Sequence, residues 1–172
     1  MKYMQNGGFQ NNSLMRLTLL FTCLFLLGLW ATNFFLYFSK MGFTPDSVVR
    51  YYLGSEQNFT MPRSYQSMLE VTHMHLPVMG LVILMLTHLL IFAPFQQGTK
   101  VAFIVVAFVS AFMNEASGWL VRFVHPGFGW LKVVSFIIFQ STLTFLLIAL
   151  AWFLIAGKTT TGASTAKRYT RL

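Results

Sequence analysis

The sequence predicts an all-α membrane protein: a single four-helix transmembrane bundle with both termini cytoplasmic. Three observations carry this. Of 172 residues, 56% are hydrophobic and only 9% charged, whereas a soluble domain carries roughly 25% charged residues. Four apolar runs, at residues 17–38, 71–93, 101–121 and 133–156, are each about 21–24 residues long, enough to cross about 30 Å of hydrocarbon. Runs of this kind in lipid must be helical, because no water is present to satisfy the backbone. Together they make residues 1–156 one domain and leave no room for a second.

The first span follows Lys2 and Arg16. It is longer than the apolar core of a signal peptide, and no small-x-small cleavage pattern follows, so a retained helix is expected. It holds the chain's one cysteine, Cys23, which forms no internal disulfide. No Cys-x-x-Cys-His occurs, which excludes covalent c-type haem.

The outer loop, residues 39–69, is the one long connection. Thr44-Pro45-Asp46 has the cap, proline and acid of a helix start, and Gly54 a stop. Tyr51 and Tyr52 suit a short helix lying at the membrane interface. Asn58-Phe59-Thr60 matches a glycosylation sequon. The turns at residues 94–100 and 122–132 are short, so the last three spans run antiparallel as neighbours. Residues 157–172 form a basic cytoplasmic tail.

The net charge of +8 does not point to nucleic acid once its distribution is considered. With the N-terminus inside, the inner segments hold Lys2, Arg16, Lys100, Lys158, Lys167, Arg168 and Arg171. The outer segments hold Lys40, Arg50, Arg63, Arg122 and Lys132, offset by Asp46, Glu56 and Glu70. The positive-inside rule therefore places both termini in the cytoplasm of a bacterial inner membrane, with the tail against an anionic leaflet.

The candidate site lies in Glu70-Val-Thr-His-Met-His-Leu-Pro77 and the run that follows it to His88. Ionisable groups in a span are costly and face the protein interior or a cofactor. With this topology Glu70, His73, His75, Asn114, Glu115 and His125 fall at one depth, in the outer part of the bundle. Glu70, His73, Pro77, Leu81 and His88 share a helical face, with His75 on another unless Pro77 disturbs the phase. His73 and His88 are about 22 Å apart along a helix, and His88 finds no partner at its own depth. Small residues nearby (Gly28, Gly80, Ala111, Ala116, Ser117, Gly118) fit helix packing or a flat cofactor. Met68, Met74, Met79 and Met85 fit packing better than copper ligation. Glu115 is either functional or paired with Arg122 on its own helix.

Four spans, histidines near helix ends and a charged tail resemble the small b-type cytochrome membrane subunits of bacterial respiratory complexes. The histidines here gather on one helix and one turn, unlike the di-haem members. The segments Tyr51-Tyr52-Leu53-Gly54, Leu69 to His75 and Thr87-His88-Leu89 are also similar to a group of small bacterial membrane proteins associated with c-type cytochromes. The resemblance implies haem b in the outer half of the bundle. His73 or His75 would be paired with His125 as axial ligands, and His88 would be the weakest cofactor candidate. Glu70, Glu115 and Asn114 would act as proton-transfer or orienting groups. The expected function is an electron-transfer subunit rather than a self-contained enzyme, relaying electrons from a membrane donor such as quinol to a periplasmic acceptor such as a c-type cytochrome. The alternatives are a non-catalytic assembly or anchoring subunit, and a copper or zinc protein using Glu70, His73, His75 and His125.

Overall fold

The computed structural model describes residues 12–156. The expected basic tail, and Lys2 before the first span, lie outside the described residues. The helices are α1 (Ser13–Phe38), α2 (Pro45–Leu53), α3 (Tyr65–Leu90), α4 (Gln97–Phe123) and α5 (Gly129–Ala156), with a 3-10 turn, Pro126–Phe128, leading into α5. Four of these segments are long and apolar enough to cross a membrane, α2 being the exception. Multi-pass insertion in a bilayer follows.

The spanning helices begin four to six residues ahead of the apolar runs, and side-chain caps hold the polar first turns of α1 and α3. Asn12 Oδ1 accepts from the backbone N–H groups of Leu14 and Met15 at the start of α1. Ser64 Oγ accepts from Ser67 N at the start of α3. α3 ends near the Lys100 ammonium, which donates to Ile91 O at 2.7 Å. Pro77 lies inside α3 rather than in its first turn. The helix runs on through it, so the 3.6-residue phase holds across the histidines. The face of Glu70, His73, Pro77, Leu81 and His88 points out of the bundle, while Met68, Ile83, Leu86 and Leu90 point in.

α5 is the hub, packing against every other helix. Ile83, Leu86, Ala107, Phe139, Leu146 and Leu154 centre the main core. A second cluster, Tyr37, Met41, Val48, Val121, Val133 and Phe136, lies at the end that carries α2. There Tyr37 stacks on Phe136 with ring centroids 3.7 Å apart. Outward positions on the long helices remain apolar, as at Phe25, Leu81, Ile148 and Trp152, which fits lipid as the solvent for this surface.

α2 is seated across α4 and α5. Thr44 caps it, Pro45 occupies its first turn, and Gly54 ends it with φ +80°, a conformation that favours glycine. Its Val48 is fully buried. Two glycines form its seat. A Cβ on Gly118 would lie 2.6 Å from the Tyr52 hydroxyl, and one on Gly129 would lie 3.0 Å from Pro45 O. Gly28 and Gly80, expected among the close-packing small residues, have open space where a Cβ would stand.

Candidate functional site: a polar cavity beneath α2

The polar side chains of four helices meet just under α2. Glu115 of α4 is the centre. Thr72 Oγ1 donates to Glu115 Oε1 at 2.5 Å, and Trp119 Nε1 donates to Thr72 Oγ1 at 2.9 Å. On the other carboxylate oxygen, His75 Nδ1 lies 3.3 Å from Oε2. The Glu115 side chain is 11% exposed and that of His75 47%, so the pair runs from the interior to the bundle surface. Lys132 of α5 is buried, donates to Asn114 O at 2.6 Å and interacts electrostatically with Glu115. The cavity these groups line has a volume of about 130 Å³. Tyr51 and Tyr52 of α2 and Arg63 line it too, with Gln140 of α5 and Asn33 of α1. Burial, then the nearby Tyr51 and Glu115, push the Tyr52 phenol upward in pKa, so it stays neutral.

A second space adjoins the cavity. A largely apolar groove of about 690 Å³ lies between α1 and α3, and Asn33, Leu36, His75, Asn114 and Phe139 line both. Helix α1 leans on α5, which leaves this flank toward α3 open. The chamber that holds these polar groups is thus flanked, at His75, by a surface made for hydrocarbon. Beyond the chamber, Lys40, Arg50 and Arg63 line a shallow basin around Tyr51, with the Arg63 guanidinium 5.0 Å from the Tyr51 ring centroid.

Of the residues singled out in the sequence, the structure brings together His75, Asn114 and Glu115. It does not bring the others to them. Glu70 accepts from Gln66 Nε2 at 3.0 Å on its own helix turn. His73, about 200° of helical rotation from His75, points away from the bundle. His88 is exposed and sits edge-on to Phe92. His125 is an exposed cap residue whose Nδ1 accepts from Gly127 N at 3.0 Å. Arg122 donates to Arg63 O at 2.8 Å and leaves Glu115 to His75 and Thr72. Among the described residues no three histidine, cysteine or acidic side chains gather closely enough to hold a metal ion, so Glu70, His73, His75 and His125 do not form the copper or zinc set. Nor does the structure bring His125, the expected second axial residue, to His75. His125 is outside the cavity, whose volume suits one six-membered ring; a cavity of about 150 Å³ accommodates benzene.

Residues 42–161 match a family model, Aq_1264_TM, for a transmembrane helical domain. The chain belongs to this family. No curated protein and no solved structure matches the chain. The region matched to Aq_1264_TM begins just before α2 and contains the whole network of Thr72, His75, Glu115, Trp119 and Lys132. Helix α1, which closes the groove with Asn33 and Leu36, precedes it. The Aq_1264_TM match gives the membrane architecture and carries no chemistry with it.

Sequence reasoning missed Thr72, Trp119, Lys132 and Gln140. Two signals were available. Thr72 stands three residues before His75 on one helical face. Lys132, Phe136 and Gln140 repeat every four residues along α5, so a loop cation and a lone amide share the inward stripe.

Proposed function

We propose that the chain is a quinol-binding electron-transfer subunit of the bacterial inner membrane, with the α2 end on the periplasmic side. The carrying observation is the hydrogen-bonded His75–Glu115 pair at the junction of a ring-sized polar chamber and an apolar lipid-facing groove. A lipid-soluble quinol has this division, a small hydroxylated ring on a long hydrocarbon tail. Its ring occupies the chamber and its tail the groove. His75 and Glu115 are placed to take a proton from a ring hydroxyl. The two electrons leave, one at a time, to a haem-bearing acceptor such as a c-type cytochrome on the same side, and the second proton passes to the periplasm. The charge distribution supports the orientation: seven Lys and Arg residues lie in the segments at the opposite end, against five at the α2 end.

The test is calorimetric titration of the full chain in detergent with a decyl-substituted benzoquinol. The wild-type protein is expected to bind it. His75→Phe and Glu115→Gln are each expected to weaken binding about tenfold or more, the effect of losing a charge-assisted hydrogen bond. Absence of binding, or binding that neither substitution changes, rejects the reading.

A haem on His75 is the second reading. It is favoured by one observation. Glu115 holds Nδ1, the way a carboxylate orients a ligand histidine, and Nε2 has no hydrogen-bond partner among the described residues. Bound haem would supply one-electron transfer beside the same groove. Protein made under haem-replete conditions is then expected to show an α-band in its dithionite-reduced minus oxidised spectrum, lost in His75→Phe and kept in His73→Ala and His125→Ala. A flat spectrum removes this reading and leaves the quinol reading standing.

A further inference from the structure

Three cations converge in the shallow basin around Tyr51, each from a different segment. Lys40 comes from the turn after α1, Arg50 from α2 and Arg63 from the loop before α3. Backbone hydrogen bonds fix these segments against one another. Gly42 N donates to Ser47 Oγ at 2.8 Å, which ties the turn after α1 to α2. Arg63 N donates to Tyr52 O at 3.0 Å, and Ser55 and Thr60 exchange two bonds of 3.0 Å at the base of the loop that follows α2. Lys40 Nζ lies 5.9 Å and the Arg63 guanidinium 5.0 Å from the centre of the same Tyr51 ring. Among the described residues no carboxylate pairs with any of the three cations, although Asp46 and Glu56 belong to the same end of the bundle. Like charges that the fold holds together repel, and an anion shared between them relieves the repulsion.

The place of the basin decides what that anion is. Its wall starts at Phe38, the last residue of α1. Ser39, the next residue, lines both the basin and the apolar groove between α1 and α3. The cations therefore stand at the head of a surface made for hydrocarbon, where a spanning helix meets the headgroups. A soluble acidic protein offers carboxylates but no chains to lie against the exposed Phe35 and Phe38 rings. A phospholipid offers both an anion and chains. We infer that the basin binds the headgroup of an anionic phospholipid, its phosphate held by Lys40, Arg50 and Arg63 and its acyl chains lying along the outer side of α1. Arginine suits this task, because its planar fork donates two parallel hydrogen bonds to phosphate oxygens, and the lysine adds a point charge. The basin holds about 690 Å³, room for a phosphodiester with its glycerol. The bound lipid bridges three segments whose cations otherwise repel, and it stabilises the folded chain by mass action. The site is independent of the quinol reading, because neither His75 nor Glu115 lines the basin.

Native mass spectrometry of the full chain in detergent tests this, with dioleoyl phosphatidylglycerol and dioleoyl phosphatidylcholine titrated in parallel. The wild-type protein is expected to bind the anionic lipid at least about fivefold more tightly. Arg50→Gln and Arg63→Gln are each expected to weaken that binding about fivefold, the effect of one cation beside an anionic headgroup. Arg16→Gln, which removes a cation at the opposite end of α1, is expected to leave it unchanged. Melting temperatures verify that the variants are folded, and two variants on different segments guard against the failure of one. Equal binding of the two lipids by the wild-type protein overturns the site. So does binding that Arg50→Gln and Arg63→Gln leave unchanged, or that Arg16→Gln weakens as much. Glycerol phosphate that binds as tightly as the lipid overturns the role of the chains and leaves a site for a free anion. Polyglutamate that binds more tightly than the lipid, and loses its binding in the same two variants, overturns the lipid and makes the basin a docking surface for an acidic protein.

Discussion

Glu115→Leu is expected to destabilise the detergent-solubilised protein by about 1–3 kcal/mol or more, the cost of leaving enclosed polar partners without their acceptor. The carboxylate is nearly enclosed and serves three neighbours at once. Without it the Thr72 hydroxyl and the His75 ring lose their acceptor. Lys132, 7% exposed, keeps only its bond to Asn114 O and becomes a buried ammonium with no compensating charge. The double variant Glu115→Leu/Lys132→Met tests the cause. Removing the buried ammonium together with the carboxylate leaves no uncompensated charge in the low-dielectric interior. It should therefore regain most of the lost melting temperature while still failing to bind quinol. Thermal unfolding followed by circular dichroism checks both statements. A double variant as unstable as Glu115→Leu would show that the carboxylate supports the fold in some way other than balancing Lys132.

The same residue shows what could be read from the sequence. An acid within an apolar run has to be held by something, so Glu115 and its neighbour Asn114 stand out without any structure. The four spans are equally plain, because 21 or more apolar residues in a row have few other uses. The ends of the spans are less plain, since hydropathy stops where polar capping turns begin, as at Ser64 before α3. Lys132 was hidden by that boundary. It precedes the apolar run at residue 133 and counts as a loop charge, yet the 3-10 turn starts α5 at Gly129 and rotates Lys132 inward. The choice between His73 and His75 depended on Pro77. A first-turn proline would have freed both rings, whereas an internal proline in a continuing helix sends them to opposite sides. His125 misled for a different reason. Its ring nitrogen does at the 3-10 turn what an Asp or Asn oxygen commonly does at a helix start, and a sequence does not distinguish a capping histidine from a ligand.

The seat of α2 gives a second large effect, and its sign depends on one other residue. Alanine in place of glycine inside a helix is ordinarily favourable by about 0.8–1.0 kcal/mol. At position 118 the added methyl would meet the Tyr52 ring, at 2.6 Å from Oη, 2.8 Å from Cζ and 3.0 Å from Cε1. Tyr52 cannot swing clear without leaving the chamber or lifting α2, with its Val48, from Val121. Gly118→Ala is therefore expected to cost about 1–3 kcal/mol, the usual range for overpacking a filled site. In a Tyr52→Ala background the obstruction is gone and the helix preference returns, so the same substitution should become neutral or stabilising by up to about 1 kcal/mol. The four melting temperatures of this cycle isolate the contact, and residues that touch couple by about 0.5–3 kcal/mol. If Gly118→Ala stabilises the protein with Tyr52 present, then Tyr52 does not rest on α4, and α2 is not the cover that encloses the chamber above Glu115.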